Sequence, residues 1–241
     1  MVKADGDDRP RDVGDLLVRA RLSSEVVQAV GLWVADRWAG EGFAWVRSRK
    51  SWERRVGGRR EQVILTSSYR NRAGRWTEVW VESLAVFDSA LGAWRRAHPE
   101  LCLARAEELQ DLLCASSFLD LTSRYSVELS QPEGRISRTE AWTDHIHEII
   151  SPWFHNTMDA ARLAEVASEH LVRTVAPDLV EFAISRGERE QARLILERAV
   201  EIRPMYRDAF EDGREMARSG VRPDWPSAPC LGWSSVVHDL W

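Results

Sequence analysis

Apolar residues recur at helical spacing near the start of the chain. A Ser23-Ser24 pair that can cap a helix is followed by apolar positions three and four residues apart, namely Val26, Val27, Val30, Trp33, Val34 and Trp38. The Gly40-Glu41-Gly42 segment tolerates positive φ and predicts the end of this helix. Because only one side of the helix is apolar, we expect it to pack on another element.

The next part of the chain predicts β-strands. Residues 43–56, 61–70 and 75–87 are rich in aromatic residues and in alternating apolar and polar positions. A Gly-Gly-Arg-Arg segment and an Asn-Arg-Ala-Gly segment separate them, and both are typical of tight turns. Because such short connections cannot hold a parallel crossover, the three segments predict an antiparallel meander. Residues 125–130 predict a fourth strand.

Helical spacing returns after the third predicted strand. Asp88 can cap a short helix that contains Leu91 and Trp94 and ends before His98-Pro99. Residues 100–115 are also expected to be helical, with their leucines facing inward.

The second half of the chain predicts helices. Ser137 and Glu140 can form a capping box for a helix that Ser151-Pro152 should interrupt. Further helices are expected at residues 159–173, 177–186, 188–202 and 205–219. The last segment, 222–241, reads as a loop, but its tryptophans and aliphatic residues predict that it docks on the body of the protein or on a partner.

Together these patterns predict an α+β fold with an N-terminal helix, an antiparallel three- to four-stranded meander and an all-helical C-terminal half. The 241 residues are enough for one large domain or two small ones, each with its own core. We divide the chain into a disordered N-terminus at residues 1–12, an α+β sheet domain at 13–135, a helical domain at 136–221 and a docked tryptophan-rich tail at 222–241.

Part of the helical domain resembles a tetratricopeptide-type helical hairpin. The small, turn and stop positions of that motif correspond, within residues 173–206, to Leu179, Gly187, Ala192, Ala199 and Pro204. Val180 and Ala183 depart from the motif, and the residues before it show no comparable match. Because repeat arrays need about three units to bury a continuous core, the resemblance implies one hairpin and not a repeat protein.

The sheet region is similar to uncharacterised bacterial α+β domains, some of which occur near toxin–immunity and defence loci. The similarity is carried by Phe43-Ala44-Trp45, Ser67-Ser68-Tyr69 and Val79-Trp80-Val81. It implies a small binding protein and no known chemistry.

Basic residues concentrate in one segment. Residues 47–75 contain ten arginines and lysines against two glutamates, a local charge of +8. The whole chain carries −5 at pH 7, so the remainder carries −13. Such a hairpin favours recognition of phosphate or of an acidic protein surface, whereas the alternative is that its arginines pair with the acidic remainder of the same chain.

Alternation along the strands suggests which residues form a binding face. Val79 and Val81 should face the helices, while the other face carries Trp76, Glu78, Trp80 and Glu82. Whether Trp45 joins that other face depends on strand register. The candidate binding residues are Trp45, Arg47, Arg49, Tyr69, Trp76, Glu78 and Trp80. Such a surface can stack a base or a ring-shaped ligand, or its arginine–tryptophan contacts can be purely structural.

The sequence lacks recognisable catalytic and metal-binding motifs. It contains no Gly-x-Ser-x-Gly elbow, no phosphate-binding loop and no Gly-x-Gly-x-x-Gly. His145 and His147 are two residues apart, so on a helix they point about 200° from each other and cannot share a zinc ion. Cys102, Cys114 and Cys230 suit neither a disulfide framework nor a zinc site, and we expect reduced thiols. We expect no cofactor and no metal, and assign no catalytic residue.

These observations favour a non-enzymatic cytoplasmic binding or regulatory protein of bacterial immunity or defence type. It would recognise a protein partner through a basic, tryptophan-lined sheet face. Two alternatives stay open: binding of RNA or a nucleotide by the arginine-rich hairpin, and an enzyme acting on a small molecule with Glu78 or Glu82 as acid/base between sheet and helices. A homodimer is also open.

No association with a membrane is expected. The longest apolar runs fall short of the roughly 18 residues that a spanning helix requires. The first residues also lack the apolar region of a signal peptide.

Overall fold

The structure is a computed structural model that describes residues 13–72, 75–202 and 207–241. The predicted α+β class is confirmed, because N-terminal helices precede an antiparallel sheet and the C-terminal half is helical. The helices are α1 (Val13–Arg19), α2 (Ser23–Arg37), α3 (Ser89–Ala97), α4 (Arg135–Asn156), α5 (Ala160–Val166), α6 (Glu169–Ser185), α7 (Arg189–Ile202), α8 (Arg207–Arg218) and α9 (Cys230–Val237). The strands are β1 (Ala44–Val46), β2 (Ser51–Val56), β3 (Arg59–Ser67), β4 (Glu78–Asp88), β5 (Leu112–Ser117) and β6 (Ser126–Glu128).

The chain divides into two compact units. The first contains the residues up to Arg54 together with Gln62–Ser83 and Leu121–Ile149. The second contains Arg55–Glu61, Leu84–Asp120 and Ile150–Trp241. Each unit therefore draws on both the strand-rich and the helical part of the sequence. The division into domains at residues 135 and 221 stays a prediction.

The sheet is larger than the sequence predicts. In the described ranges the strand order is β1-β2-β3-β4-β5, and β6 also pairs with β4. The segment predicted as one strand at 43–56 is divided into β1 and β2 by a tight turn, in which Lys50 adopts a φ of 48°. This turn contains no glycine, proline or asparagine to reveal it in the sequence.

Residues 100–115 do not form the expected helix, and their only helical parts are the short 3₁₀ turns Pro99–Leu101 and Glu107–Leu109. Cys102 lies in a loop, while Leu112–Ser117 form β5 and pair with β4. A short apolar run has no periodicity that separates a buried strand from a buried helix, and here the pairing with β4 selects the strand. Cys102 and Cys114 are both buried, and burial raises the pKa of the Cys102 thiol to about 12. Both thiols are therefore inert core groups.

Several predicted helix boundaries shift. Asp88 caps α3 as predicted, with its carboxylate accepting the Leu91 N–H at 2.8 Å. Pro152 does not interrupt α4, because it is the fifth residue from the end of the helix. Its missing N–H deprives only the carbonyl of Glu148 of a partner, and Glu148 is exposed to water. The helix expected at 159–173 is divided, since Ser168 caps the start of α6.

The break expected at Ala176-Pro177 is present as a kink. Val175, immediately before it, has non-helical angles of φ −130° and ψ 20° inside α6. Pro177 lacks the N–H that would bond to the Arg173 carbonyl, and its ring crowds that carbonyl, which accounts for a kink in this turn. Gly187, with a φ of 75°, then forms the turn between α6 and α7. Of the tetratricopeptide-like positions, Pro204 lies outside the described residues.

The tail at 222–241 is not entirely a loop, because it contains α9. Cys230, Trp233 and Leu240 are buried within the second unit, whereas Trp241 is 54% exposed. The expectation of disorder at residues 1–12 falls outside the described residues.

The first unit is built around an aromatic cluster. Trp52 is fully buried, and its indole N–H donates to the Gly31 carbonyl of α2 at 2.8 Å. Trp38, Trp45 and Trp142 lie around it, with ring centroids 5.4 to 6.4 Å away. These contacts bury the apolar stripe of α2 against β1 and β2, as the sequence requires of a one-sided helix.

The second unit contains a group of four buried charges, which we call the buried quartet: Arg95, Arg105, Asp178 and Glu181. Arg95 donates to Glu181 at 2.7 Å and to Asp178 at 3.1 Å, and Arg105 donates to Glu181 at 2.8 Å and also contacts Asp178. The indole N–H of Trp225 adds a bond to Asp178 at 3.1 Å. The charges are balanced, and the quartet joins α3, α6 and the C-terminal tail.

A buried histidine makes the stability of the second unit sensitive to acid. Burial lowers the pKa of His238 to about 4, with Arg189 acting in the same direction, and its Nε2 has no hydrogen-bond partner among the described residues. The unfolded chain, with a pKa of 6.5 at this residue, binds the proton first, so stability falls as pH drops through that range. We expect a loss of about 2 kcal/mol at pH 5 and about 3 kcal/mol below pH 4.

Urea denaturation between pH 7 and pH 5 measures this effect. His238→Phe should lose about 2 kcal/mol less than the original chain over that interval, because its ring does not titrate. An identical pH dependence in the two proteins would show that His238 is not buried in the neutral form.

Candidate recognition surface

Two aromatic rings and two arginines come together where β3 connects to β4. Tyr69 is 88% exposed and Trp76 is 44% exposed, and Arg70 and Arg72 are also exposed. We call these four residues the aromatic–arginine surface. Together with three further polar residues they line a cavity of about 800 Å³, those residues being Ser68, Asn71 and Glu78.

Hydrogen bonds hold the backbone of this surface in place. The Asn71 side chain donates to the Glu78 carbonyl at 3.0 Å and accepts the Glu78 N–H at 2.9 Å. Arg72 and Trp76 exchange backbone bonds of 2.8 and 3.0 Å. The Asn71 side chain thus makes the hydrogen bonds that a paired strand residue would make with Glu78. These bonds connect the segments that carry Tyr69 and Trp76.

The charged groups of the surface are available to a ligand. The guanidinium of Arg70 lies 5.3 Å from the centre of the Tyr69 ring and donates to its hydroxyl at 3.0 Å. Within the described part of the chain, neither Arg70 nor Arg72 has a carboxylate partner. Glu78 is oriented by the Ser126 hydroxyl, which donates to it at 2.9 Å. The aromatic–arginine surface therefore presents two cations and two rings, and the anchored carboxylate of Glu78 lines the same cavity.

The structure brings only part of the predicted binding set together. Tyr69, Trp76 and Glu78 line the same cavity. Trp80 is half-buried between Val79 and Val81, which are fully buried as the strand alternation predicts. It does not line this cavity.

Trp45 has a different environment. Register places it opposite Trp52, and its indole N–H donates to Gln28 of α2 at 3.0 Å. The ring covers Gly31 so closely that a Cβ there would be 2.3 Å from it. Trp45 therefore packs against the helix and does not join Trp76 in the cavity.

Arg47 and Arg49 lie in different environments. Arg47 is exposed beside α1 and α2, and no partner for its guanidinium is found within the described ranges. Arg49 instead makes a two-pronged ion pair with buried Glu53, at 2.6 and 2.7 Å. Ser51 and Gln62 donate to the same carboxylate, so Arg49 belongs to a structural cluster.

Other arginines of the basic segment are also engaged inside their own unit. Arg54 lies over the ring of Phe43, at 4.6 Å from its centre, and Arg60 lies 3.7 Å from the centre of Phe87. Arg59 donates to the carbonyls of Thr157 and Met158 at 2.6 and 2.9 Å. With Arg49, at least four of the ten basic residues thus have internal structural roles.

The histidines of α4 have separate partners. His145 lies 3.4 Å from the Thr122 hydroxyl, and His147 pairs with Glu41. Among the residues that the structure describes, no group of three or more histidine, cysteine or acidic residues is arranged to hold a metal ion. The described helices likewise include none with the length and apolar character needed to cross a membrane.

Sequence reasoning missed two parts of the cavity. The sequence analysis counts Arg70 and Arg72 only in the local charge of residues 47–75. The predicted turn after β3 indicates that both are exposed. Asn71 was interpreted as a turn residue, and its hydrogen bonds across the loop to Glu78 depend on the pairing of β3 with β4.

Comparison with known proteins identifies no relative of this chain. No protein-family model, no curated protein and no solved structure matches the chain.

Proposed function

We propose that the chain is a non-enzymatic binding protein that recognises a protein partner through the aromatic–arginine surface. The observation that carries the proposal is the exposure of Tyr69 and Trp76 on a hydrogen-bonded loop. Tyrosine, tryptophan and arginine are the residues that most often dominate the energy of protein interfaces. Because hydrogen bonds already hold Asn71, Arg72 and Trp76, these residues lose little conformational entropy on binding.

The chemistry of the surface indicates the kind of partner. The two rings can bury apolar side chains, while Arg70 and Arg72 have unused hydrogen-bond donors for carboxylates. An acidic segment that carries an apolar or aromatic residue supplies both groups. An immunity or regulatory partner of this composition remains the specific form of the proposal.

The disposition of the arginines supports a protein over a nucleic acid. At least four of the ten basic residues in 47–75 have internal roles, so fewer of their guanidinium groups are free to contact phosphates directly. The rest of the chain carries −13. A long polyanion would be repelled by that remainder, whereas a short acidic peptide segment contacts the surface alone.

Purification of the full chain from its own host, followed by native mass spectrometry, tests the proposal. We expect an added mass of protein size. Trp76→Ala and Tyr69→Ala should each weaken binding of that partner by about 30-fold, as is usual for central aromatic contacts worth about 2 kcal/mol. Leu119→Ala is the matched control, because Leu119 is 55% exposed and lies outside the cavity.

Two outcomes would contradict the proposal. One is a captured protein whose affinity does not change in either aromatic variant. The other is a captured RNA whose binding falls steeply with added salt, which would assign the surface to nucleic acid instead.

A further inference from the structure

A second cavity lies in the first unit, between α1, α2 and the residue after β1. Its volume is about 420 Å³, and its walls include Leu16, Ala20, Ala29 and Leu32. Leu16 and Leu32 are only half-buried, so their side chains are partly open to the cavity. A concave site of this size with mainly apolar walls is typical of small-molecule pockets.

The amide of Gln28 has free hydrogen-bond donors at this cavity. Its Oε1 already accepts the indole N–H of Trp45 at 3.0 Å. An indole N–H is a donor only, so this bond determines the orientation of the amide and leaves the two N–H groups of Nε2 without a partner in the described ranges. Ser24 adds a hydroxyl that can also donate.

A carboxylate also lines the cavity, and one of its oxygens accepts backbone hydrogen bonds. Glu25 accepts the backbone N–H groups of Arg21 and Leu22, at 2.7 and 3.0 Å, in the first turn of α2. These hydrogen bonds lower the pKa of Glu25, so the group is ionised and used locally. Both bonds are accepted by Oε2, so two backbone donors already compensate part of the charge of Glu25.

The cationic groups at the cavity are less constrained. Arg47 lines it, and its guanidinium has no hydrogen-bond or ion-pair partner among the described residues. Arg19 lies at the same cavity, with a single ion pair to Asp15 at 3.1 Å that is exposed to solvent on both sides. The cavity is therefore lined by two guanidinium groups and one carboxylate, and the Gln28 amide adds two free N–H donors, so the balance of charge favours an anionic ligand.

We propose that this cavity binds a small amphiphilic carboxylate, with its aliphatic chain against Leu16 and Leu32 and its carboxylate held by Arg47 and the Gln28 amide. An apolar body meets the walls, and an acceptor-only anionic head meets the donors. The site is separate from the aromatic–arginine surface and does not rest on the function proposed for that surface.

Titration calorimetry of the full chain with decanoate, below its micelle-forming concentration, tests the site. Decan-1-ol and decylamine have the same chain with a neutral and a cationic head. We expect decanoate to bind at least tenfold more tightly than either, since a charge-assisted hydrogen bond is lost with each. Equal affinity for the three compounds would overturn the proposal, and so would the lack of any binding of decanoate.

Two variants locate the binding. Gln28→Glu keeps an acceptor for the Trp45 indole but replaces the amide donors with a second carboxylate oxygen, and Arg47→Gln removes the unpaired cation. Each should weaken decanoate binding by tenfold or more, while Arg55→Gln, which removes an exposed charge outside the cavity, should leave it unchanged. Unaltered affinity in both variants would contradict the assignment.

The folding of Gln28→Glu is checked by its thermal unfolding, which should match that of the original chain because the indole keeps its acceptor. Trp76→Ala should retain full decanoate affinity. Loss of decanoate binding in Trp76→Ala would place the ligand at the other surface and would overturn this proposal without affecting the first.

Discussion

Glu181→Leu should lower the free energy of unfolding by about 3–5 kcal/mol. The change removes one of two carboxylates from the buried quartet, whose Arg95 and Arg105 side chains are fully buried. One of the two guanidinium charges is then left without its counter-charge, away from water. The backbone N–H of Leu103, which donates to Glu181 at 2.9 Å, also loses its acceptor. Urea denaturation at pH 7 measures the loss.

The double variant Glu181→Leu/Arg105→Met distinguishes charge imbalance from lost packing. It leaves the Arg95–Asp178 pair in place, at 3.1 Å, and the remaining charges are again balanced. We expect the double variant to be more stable than Glu181→Leu alone, because a buried pair replaced by apolar residues is often neutral for stability. A double variant whose destabilisation equals the sum of the two single changes would show that the two side chains do not act together.

Gly232→Ala should destabilise the second unit by about 3 kcal/mol. Gly232 lies in α9, where an added Cβ would be 1.8 Å from the Phe210 carbonyl oxygen of α8. Gly213 of α8 packs against the start of α9, where a Cβ would be 2.0 Å from the Pro229 carbonyl oxygen. Both obstacles are backbone atoms, so rotation of a side chain cannot relieve them and the two helices must separate.

Gly40→Ala is the matched control for Gly232→Ala. Nothing lies within 4 Å of a Cβ at Gly40, and its φ is not positive. Alanine there should raise stability by about 0.4–1 kcal/mol, since it restricts the unfolded chain without strain in the folded one. The melting temperatures of the two variants should therefore move in opposite directions. A Gly232→Ala protein as stable as the original would mean that α8 and α9 are further apart than described.

The candidate site shows how far sequence patterns extend. Strand alternation places Trp76 and Glu78 on one face, the predicted binding set adds Tyr69 at the end of the preceding strand, and the three residues line one cavity. Those signals are local, and local patterns survive folding when the strands pair with near neighbours in sequence. Trp45 shares the same residue type, yet it contacts α2, because the register of β1 on β2 sets its face.

Local sequence determined the elements whose signals lie within a few residues. The stripe of α2, the turn between β2 and β3, the Asp88 cap and the kink before Pro177 all arise from short-range hydrogen bonds, sterics or periodic burial. The α+β class follows from the order of these elements.

Only the tertiary structure decided which distant groups meet. Arg95 and its partner Glu181 are 86 positions apart in the sequence, and nothing in the periodicity of α3 indicates that Arg95 is fully buried. The strand β5 exists because β4 offers it an edge, and the orientation of the Gln28 amide at the second cavity depends on its bond with Trp45. Such contacts depend on packing and strand register, which join residues far apart along the chain and therefore leave no local pattern in it.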